Sequence, residues 1–359
     1  MKSIAFRCDA SCELGIGHLM RCLTLADQLQ MKGANVAFIA SNLSINLRNL
    51  IGQKGYQYFD IGFNFQTWSQ QADATASLEV INTCFSGRLD WIIVDHYQLD
   101  YLWEHSLREA ADNVLVIDDL ANRKHDCDLF LDQNYYKNMN ERYEGLLPDR
   151  CLRLLGPNYL LLRDEFIQAR EVMKLRNGSI GRILIFFGGS DPTNQTTKAI
   201  EAVISLNRTD LKVDVVVGSE NPYKESIKKL CDSRPNFLYH YQINNMAALI
   251  NAADMAIGAG GSAMWERCYL GLPSVTVTFA DNQVDVTRDV AETGAIEYLG
   301  DTRNLDVETY AGKLRDFLKA PTLLTKMQDS AIRLVGTPQS TLIDEMWGDY
   351  TPVSPSALN

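Results

Sequence analysis

Ile4-Ala5-Phe6-Arg7-Cys8, then Leu14-Gly15-Ile16-Gly17-His18, then a helix-period segment running to Lys32 and stopped by Gly33, is the stretch from which the fold can be read. The apolar run predicts a strand, and Leu19, Cys22, Leu23, Ala26 and Leu29 fall on one face of the helix after it. Gly33 stands where a helix commonly ends. The alternation continues through the short apolar runs 36–40, 91–94, 114–117 and 129–131, each flanked by turn or polar residues, as strands covered on both faces are. A second series starts at 182–187 and continues at 213–217, 255–258 and 274–278, with a helical pattern after each. Strand and helix patterns in alternation predict parallel sheets with crossover helices. The expected class is α/β, two Rossmann-like doubly wound domains facing a central cleft.

The stretches 148–157 and Arg176-Asn177-Gly178-Ser179-Ile180-Gly181 punctuate the chain on either side of a helix-like segment at 163–174, which places the domain junction at about 157–181. The expected division is 1–156 for the first domain and 157–350 for the second, with 351–359 a disordered Pro/Ser tail. A Gln/Thr/Ser-rich stretch around 66–77 reads as a mobile loop.

With 359 residues, 46% hydrophobic and 22% charged, the chain is long enough for two cores. A formal charge of -11 and a pI near 5.0 argue against nucleic acid or an anionic membrane as partner. The N-terminus becomes charged too soon for a signal-peptide core, and no apolar run approaches spanning length. The eight cysteines are scattered without a C-x-x-C pair, which favours free thiols in a reducing cytoplasm; Cys8 and Cys12 have no second pair to complete a metal site.

Four constellations sit at strand carboxyl ends, where open α/β sheets bind ligands. In the first, Gly15 and Gly17 let backbone approach a ligand, and His18 opens a helix whose N-terminus favours a neutral ring able to act as base; a packing or capping role for His18 is the plainer alternative. The second is Asp95-His96-Tyr97, where Asp95 can orient a histidine and Tyr97 can offer a hydroxyl. Asp118-Asp119 hold a similar position as minor candidates. The third is Gly188-Gly189-Ser190-Asp191-Pro192, bare amides beside a helix start that Asp191 would cap, suited to a diphosphate or to an ordinary tight turn. In the fourth, Gly258-Ala259-Gly260-Gly261-Ser262 opens another helix, Glu266 lies one turn inside it, and Asn282-Gln283 add neutral polar groups at the same sheet edge. Neither glycine loop carries the full dinucleotide fingerprint.

Taken together, these motifs resemble the PseG family, the UDP-sugar hydrolases of pseudaminic acid biosynthesis, which belong structurally with the GT-B glycosyltransferases. The resemblance runs from Arg7-x-Asp9, Gly15-x-Gly17-His18 and Arg21, through Asp95-His96-Tyr97, Asp118-Asp119 and Asn134, to the segment from Tyr159 through Arg163 to Phe166, then Gly188-Gly189-Ser190-Asp191, Glu266 and Asn282-Gln283. It implies a GT-B-type fold in a cytoplasmic, metal-independent enzyme that uses no cofactor and takes a UDP-sugar and water as its partners, with other enzymes of the same pathway as further candidate partners. The implied reaction converts UDP-2,4-diacetamido-2,4,6-trideoxy-β-L-altropyranose to UDP and the free sugar. By position, His18 is the implied base, with Asp95 and Tyr97 beside it. The glycine loops at 188–190 and 260–262 would take the diphosphate, Glu266 the ribose, and Arg7, Asp9, Arg163, Asp191, Asn282 and Gln283 the rest of the substrate. Ser190 stands where the family can carry threonine. A GT-B glycosyltransferase using a UDP-amino-sugar donor is the competing reading, and a non-catalytic UDP-sugar binding protein a third.

Overall fold

The computed structural model describes residues 1–10, 17–62, 68–337 and 341–348. The first seven strands are β1 (Ser3–Cys8), β2 (Asn35–Ala40), β3 (Gln57–Asp60), β4 (Leu89–Asp95), β5 (Ala111–Ile117), β6 (Leu129–Asp132) and β7 (Leu152–Leu155). They form one parallel sheet in the order β3-β2-β1-β4-β5-β6-β7. The remaining six are β8 (Arg182–Phe186), β9 (Lys212–Val217), β10 (Phe237–Tyr241), β11 (Met255–Ala259), β12 (Ser274–Thr278) and β13 (Glu297–Asp301). They form a second parallel sheet in the order β10-β9-β8-β11-β12-β13.

Both sheets are covered on both faces, and the period of two along each central strand divides its side chains between two cores. In β1, Ile4, Phe6 and Cys8 join the helix Gly17–Met31 in one core, while Ala5 faces the other. Trp91 and Ile93 of β4 follow the first pattern, and Ile92 and Val94 the second. Ile183 and Ile185 of β8 part from Leu184 in the same way.

Each sheet reverses direction of growth at one point: between β1 and β4 in the first, between β8 and β11 in the second. Such switch points leave a crevice outside the strand ends, because the connecting helices depart to opposite sides. The described residues of all four constellations lie at these two places or beside them. The link between the sheets is threaded through both cores: Tyr159 and Leu161 pack on the first, and Leu160 and Leu162 on the second.

Three expectations are corrected. The stretch 66–77 is no loop from residue 70 onward; Gln70–Cys84 is a helix capped by Ser69, and it buries Asp73, Ala74, Ser77 and Ile81. Asp73 is polar yet buried because it pairs with the buried Arg7. The helix expected over 163–174 spans only Asp164–Glu171, after which the chain leaves helical geometry at Val172. Counted by sequence, everything after 157 goes with the second sheet, yet Leu342, Ile343 and Met346 of the helix Thr341–Trp347 pack in the first core, and the Trp91 indole donates to the Met346 carbonyl at 3.1 Å. The apolar face of that helix is completed only by the first sheet. Residues 351–359 lie outside the described residues. Among the described residues no helix is long and apolar enough to cross a membrane.

Candidate active site

The parallel register places Cys8 beside Asp95, so the segment after β1 and the end of β4 emerge side by side at the first switch point. His18, at the second position of the helix Gly17–Met31, meets Asp95 there, its Nδ1 2.5 Å from Oδ1. Arg21, one turn further along the same helix, donates from Nε to Oδ2 at 2.5 Å and from Nη2 to Oδ1 at 2.6 Å. Burial alone would raise the Asp95 pKa, but the charges and hydrogen bonds of Arg21 and His18 overcome it and hold the carboxyl well below the usual carboxylate range. An ionised Asp95 accepts from Nδ1–H, which selects the tautomer whose Nε2 carries the lone pair. That Nε2 has no hydrogen-bond partner among the described residues. Tyr97 packs edge-on against the imidazole, ring centroids 4.5 Å apart at 84°, and stops the ring from swinging. Burial first, then the negative charge of Asp119, push the Tyr97 hydroxyl pKa far up, so the hydroxyl keeps its proton.

The second sheet faces this group. A methyl group placed on Gly17 would sit 3.4 Å from the Ser262 hydroxyl, so the start of the His18 helix lies against the start of the helix Ser262–Tyr269. Gly261 caps that second helix at φ +74°, a conformation that L side chains rarely adopt. Gly260 and Ser262 flank it at the end of β11. Gly188, Gly189 and Ser190 follow β8 on the other side of the second switch point, so the two glycine loops are brought together by sheet order alone. Asn282 reaches across and donates from Nδ2 to the Tyr97 hydroxyl at 2.9 Å.

Other expected residues occupy different roles. Arg7 is wholly buried; its Nε and Nη2 donate to Asp73 at 3.1 and 2.6 Å, and Nη1 and Nη2 to Asp9 at 2.6 and 2.9 Å. It presents no donor to the crevice and braces the end of β1, which corrects its expected place on the substrate. Asp9 is likewise engaged, by Arg7, by the Ser41 amide at 2.7 Å and by His96 Nε2 at 3.1 Å. Asp191 does not cap at the expected position, because the helix begins at Gln195. Its buried carboxylate turns inward to the amides of Gln195 and Thr196, both at 2.8 Å, and leaves only its backbone toward the loop. Arg163 bridges Glu165 at 2.6 Å and Glu266 at 3.0 Å. Burial raises the Glu266 pKa and Arg163 partly offsets the rise. Gln283 accepts from the Phe279 amide at 3.1 Å. Gly15 lies outside the described residues. The motifs did not reveal Asp73 as the partner of Arg7, nor the hydrogen bond at 2.8 Å from the Trp265 indole to Asn134 Oδ1. No local spacing signals either pair.

Comparison with known proteins agrees with this architecture. Residues 183–335 match the glycosyltransferase family 28 C-terminal domain. An uncharacterized protein of Methanocaldococcus jannaschii, MJ1062, is 26% identical over 281 residues; the match takes in 76% of this chain and about half, 55%, of that relative's length. The UDP-2,4-diacetamido-2,4,6-trideoxy-beta-L-altropyranose hydrolase of Campylobacter jejuni is 25% identical over 297 residues, 82% of this chain and 98% of that one. Among solved structures, Acinetobacter baumannii MurG superposes with a TM-score of 0.66 at 16% identity, over 97% of this chain and 100% of that chain. The chain shares the GT-B fold of MurG, its residues 183–335 match the glycosyltransferase family 28 C-terminal domain, and most of its length is similar in sequence to a UDP-diacetamido-altropyranose hydrolase.

Proposed function

We propose that this protein is a UDP-sugar-handling enzyme that hydrolyses UDP-2,4-diacetamido-2,4,6-trideoxy-β-L-altropyranose to UDP and the free 2,4-diacetamido sugar. The observation that carries the reading is the His18–Asp95 pair with Nε2 left to accept a proton, placed directly against the glycine-opened helix of the second sheet. Asp95 and Arg21 set the ring, Tyr97 wedges it, and Nε2 takes a proton from water as the oxygen attacks the anomeric carbon. A base so placed contributes on the order of 10²–10⁴-fold. The C1–O bond breaks toward UDP, whose developing charge meets backbone amides at 188–190 and at the start of the helix Ser262–Tyr269. In this reading the amides of the two loops supply the charge stabilisation at the leaving group, and the reaction needs no metal. Facing sheets exclude bulk water from the reacting centre.

The family 28 C-terminal domain favours a second reading, transfer of the same sugar to an acceptor hydroxyl. Incubation with the UDP-sugar in ¹⁸O-labelled water, followed by mass spectrometry, separates the two. Label on the sugar supports hydrolysis at carbon. Label on the UDP phosphate means P–O cleavage, and UDP release that depends on an added alcohol establishes the transferase.

A further inference from the structure

Two bridges cross the crevice, one ending on the Tyr97 hydroxyl and the other running through Asn134 to the Asp119 carboxylate. In the first, Asn282 donates to the Tyr97 hydroxyl at 2.9 Å, beside the negative charge of Asp119. In the second, the Trp265 indole donates to Asn134 Oδ1 at 2.8 Å, and Asn134 Nδ2 donates to Asp119 Oδ2 at 3.2 Å. The bridges join residues 185 and 131 positions apart, one member of each on either sheet. The same Asp119 Oδ2 lies 3.7 Å from Arg21 Nη1, while the Nε and Nη2 of Arg21 grip Asp95. The Asp119 carbonyl is itself anchored by Tyr136 Oη at 3.2 Å and Arg142 Nη2 at 2.8 Å, so the carboxylate hangs from a fixed backbone. Its neighbour Asp118 is spent locally, on Arg123 at 2.8 Å and on the amides of Leu120 and Ala121.

We propose that Asp119 is a positioning residue that couples the facing arrangement of the two sheets to the His18–Asp95 pair, a role that rests on the hydrolase reading above. A carboxylate in a weakly polar setting keeps the geometry its donors impose. With the sheets facing, Asn282 fixes Tyr97 beside Asp119, Trp265 fixes Asn134 on Asp119 Oδ2, and Arg21 remains two-pronged on Asp95. Separation of the sheets withdraws Asn282 and Trp265 together. Tyr97 and Asn134 then lose their outer anchors, and Asp119 competes with Asp95 for Arg21. The base is thereby held in register only when the UDP-binding side is in place, which ties proton transfer to closure.

The test compares the full-length wild type with Asp119→Asn, Asn282→Ala and the double variant, measuring kcat and KM for the UDP-sugar, Kd for UDP by calorimetry, and thermal unfolding. Asp119→Asn is expected to lower kcat at least about tenfold while KM and the UDP Kd stay within about threefold. In the double variant, Asn282→Ala is expected to add less than about twofold to that loss, because residues of one network are not additive. Should Asp119→Asn fail to fold, Trp265→Phe removes one indole donor with little change of shape and should show the same fall in kcat with UDP affinity retained. A kcat within about twofold of wild type, losses that multiply in the double variant, or a matching loss of UDP affinity each overturn the role. Wild-type protein without turnover overturns the hydrolase reading itself, and the role with it.

Discussion

His18 Nδ1 and Asp95 Oδ1 stand 2.5 Å apart across 77 residues of sequence, and Arg21 closes on the same carboxylate from the His18 helix. Removing the imidazole by His18→Ala should lower turnover by about 10²–10⁴-fold and leave UDP affinity within about threefold, because the proposed diphosphate site is built of the backbone amides of the second sheet and not of the ring. Steady-state kinetics beside UDP calorimetry measure this. Turnover within about tenfold of wild type removes His18 as the base.

Asp95→Asn should damage both stability and catalysis. Arg21 would keep a buried charge with its main partner gone, at about 3–5 kcal/mol. Because the folded carboxyl is held low, the wild-type contribution is complete above the ordinary carboxylate pKa and disappears only as pH falls through the depressed folded value. The variant lacks it at neutral pH as well. Urea unfolding at pH 7 and at pH 4 should show the variant less stable at both; equal stability at pH 7 contradicts the ion-pair account.

Asp73→Asn addresses the brace under β1. Asp73 accepts from Arg7 twice, from the Trp103 indole at 2.9 Å and from the Trp68 indole at 3.2 Å. Loss of its charge leaves Arg7 with Asp9 as its one charged partner and should cost about 1.5–3 kcal/mol. Denaturant midpoints check the figure, and a loss under about 1 kcal/mol would show the brace to be dispensable.

Asp132, at the end of β6, behaves oppositely to Asp95. Burial, reinforced by the nearby charge of Asp119, pushes its pKa up to about 7. Between the ordinary carboxyl value and about 7 the folded state binds a proton that the unfolded state has lost, so this group makes stability fall as pH rises through that window. An amide at the same place can donate to Tyr143, which in turn donates to the Asp118 carbonyl at 3.2 Å. The Tm advantage of Asp132→Asn over wild type should therefore grow from pH 4 to about 7 and level off above. A difference independent of pH would place the Asp132 pKa outside the window.

Gly261→Ala and Gly33→Ala form a matched pair. Both glycines have positive φ, +74° and +85°, and both substitutions should cost about 1 kcal/mol in backbone strain. Only Gly261 opens the helix that faces His18, so only its variant should weaken UDP binding, by about tenfold or 1.4 kcal/mol. Equal UDP affinity in the two variants would remove the 260–262 loop from the diphosphate site.

The nine central strands were legible because burial on both faces forces short apolar runs. The four strands that the pattern did not reveal are β3, β7, β10 and β13, and they are the four sheet edges. Edge strands have one side free of neighbours and tolerate polar residues, as Gln57-Tyr58-Phe59-Asp60 and Phe237-Leu238-Tyr239-His240-Tyr241 do. The polar stretch from residue 70 was misleading for a related reason: Asp73 reads as solvated until its buried partner Arg7 is known.

By itself the sequence determined the alternation of strand and helix, hence two parallel sheets, and with it the position of His18, Asp95 and the glycine loops at strand carboxyl ends. These are local properties, since the period of burial and the residues that start or stop a helix are written along a few consecutive positions. Tertiary structure alone decided that Asp95 serves His18 while Asp73 serves Arg7, and that Asn282 and Trp265 reach back to the first sheet. A carboxylate binds whichever donors the packing brings within about 3 Å, and that choice is made by sheet order and by the facing of two cores, over separations that no local pattern records.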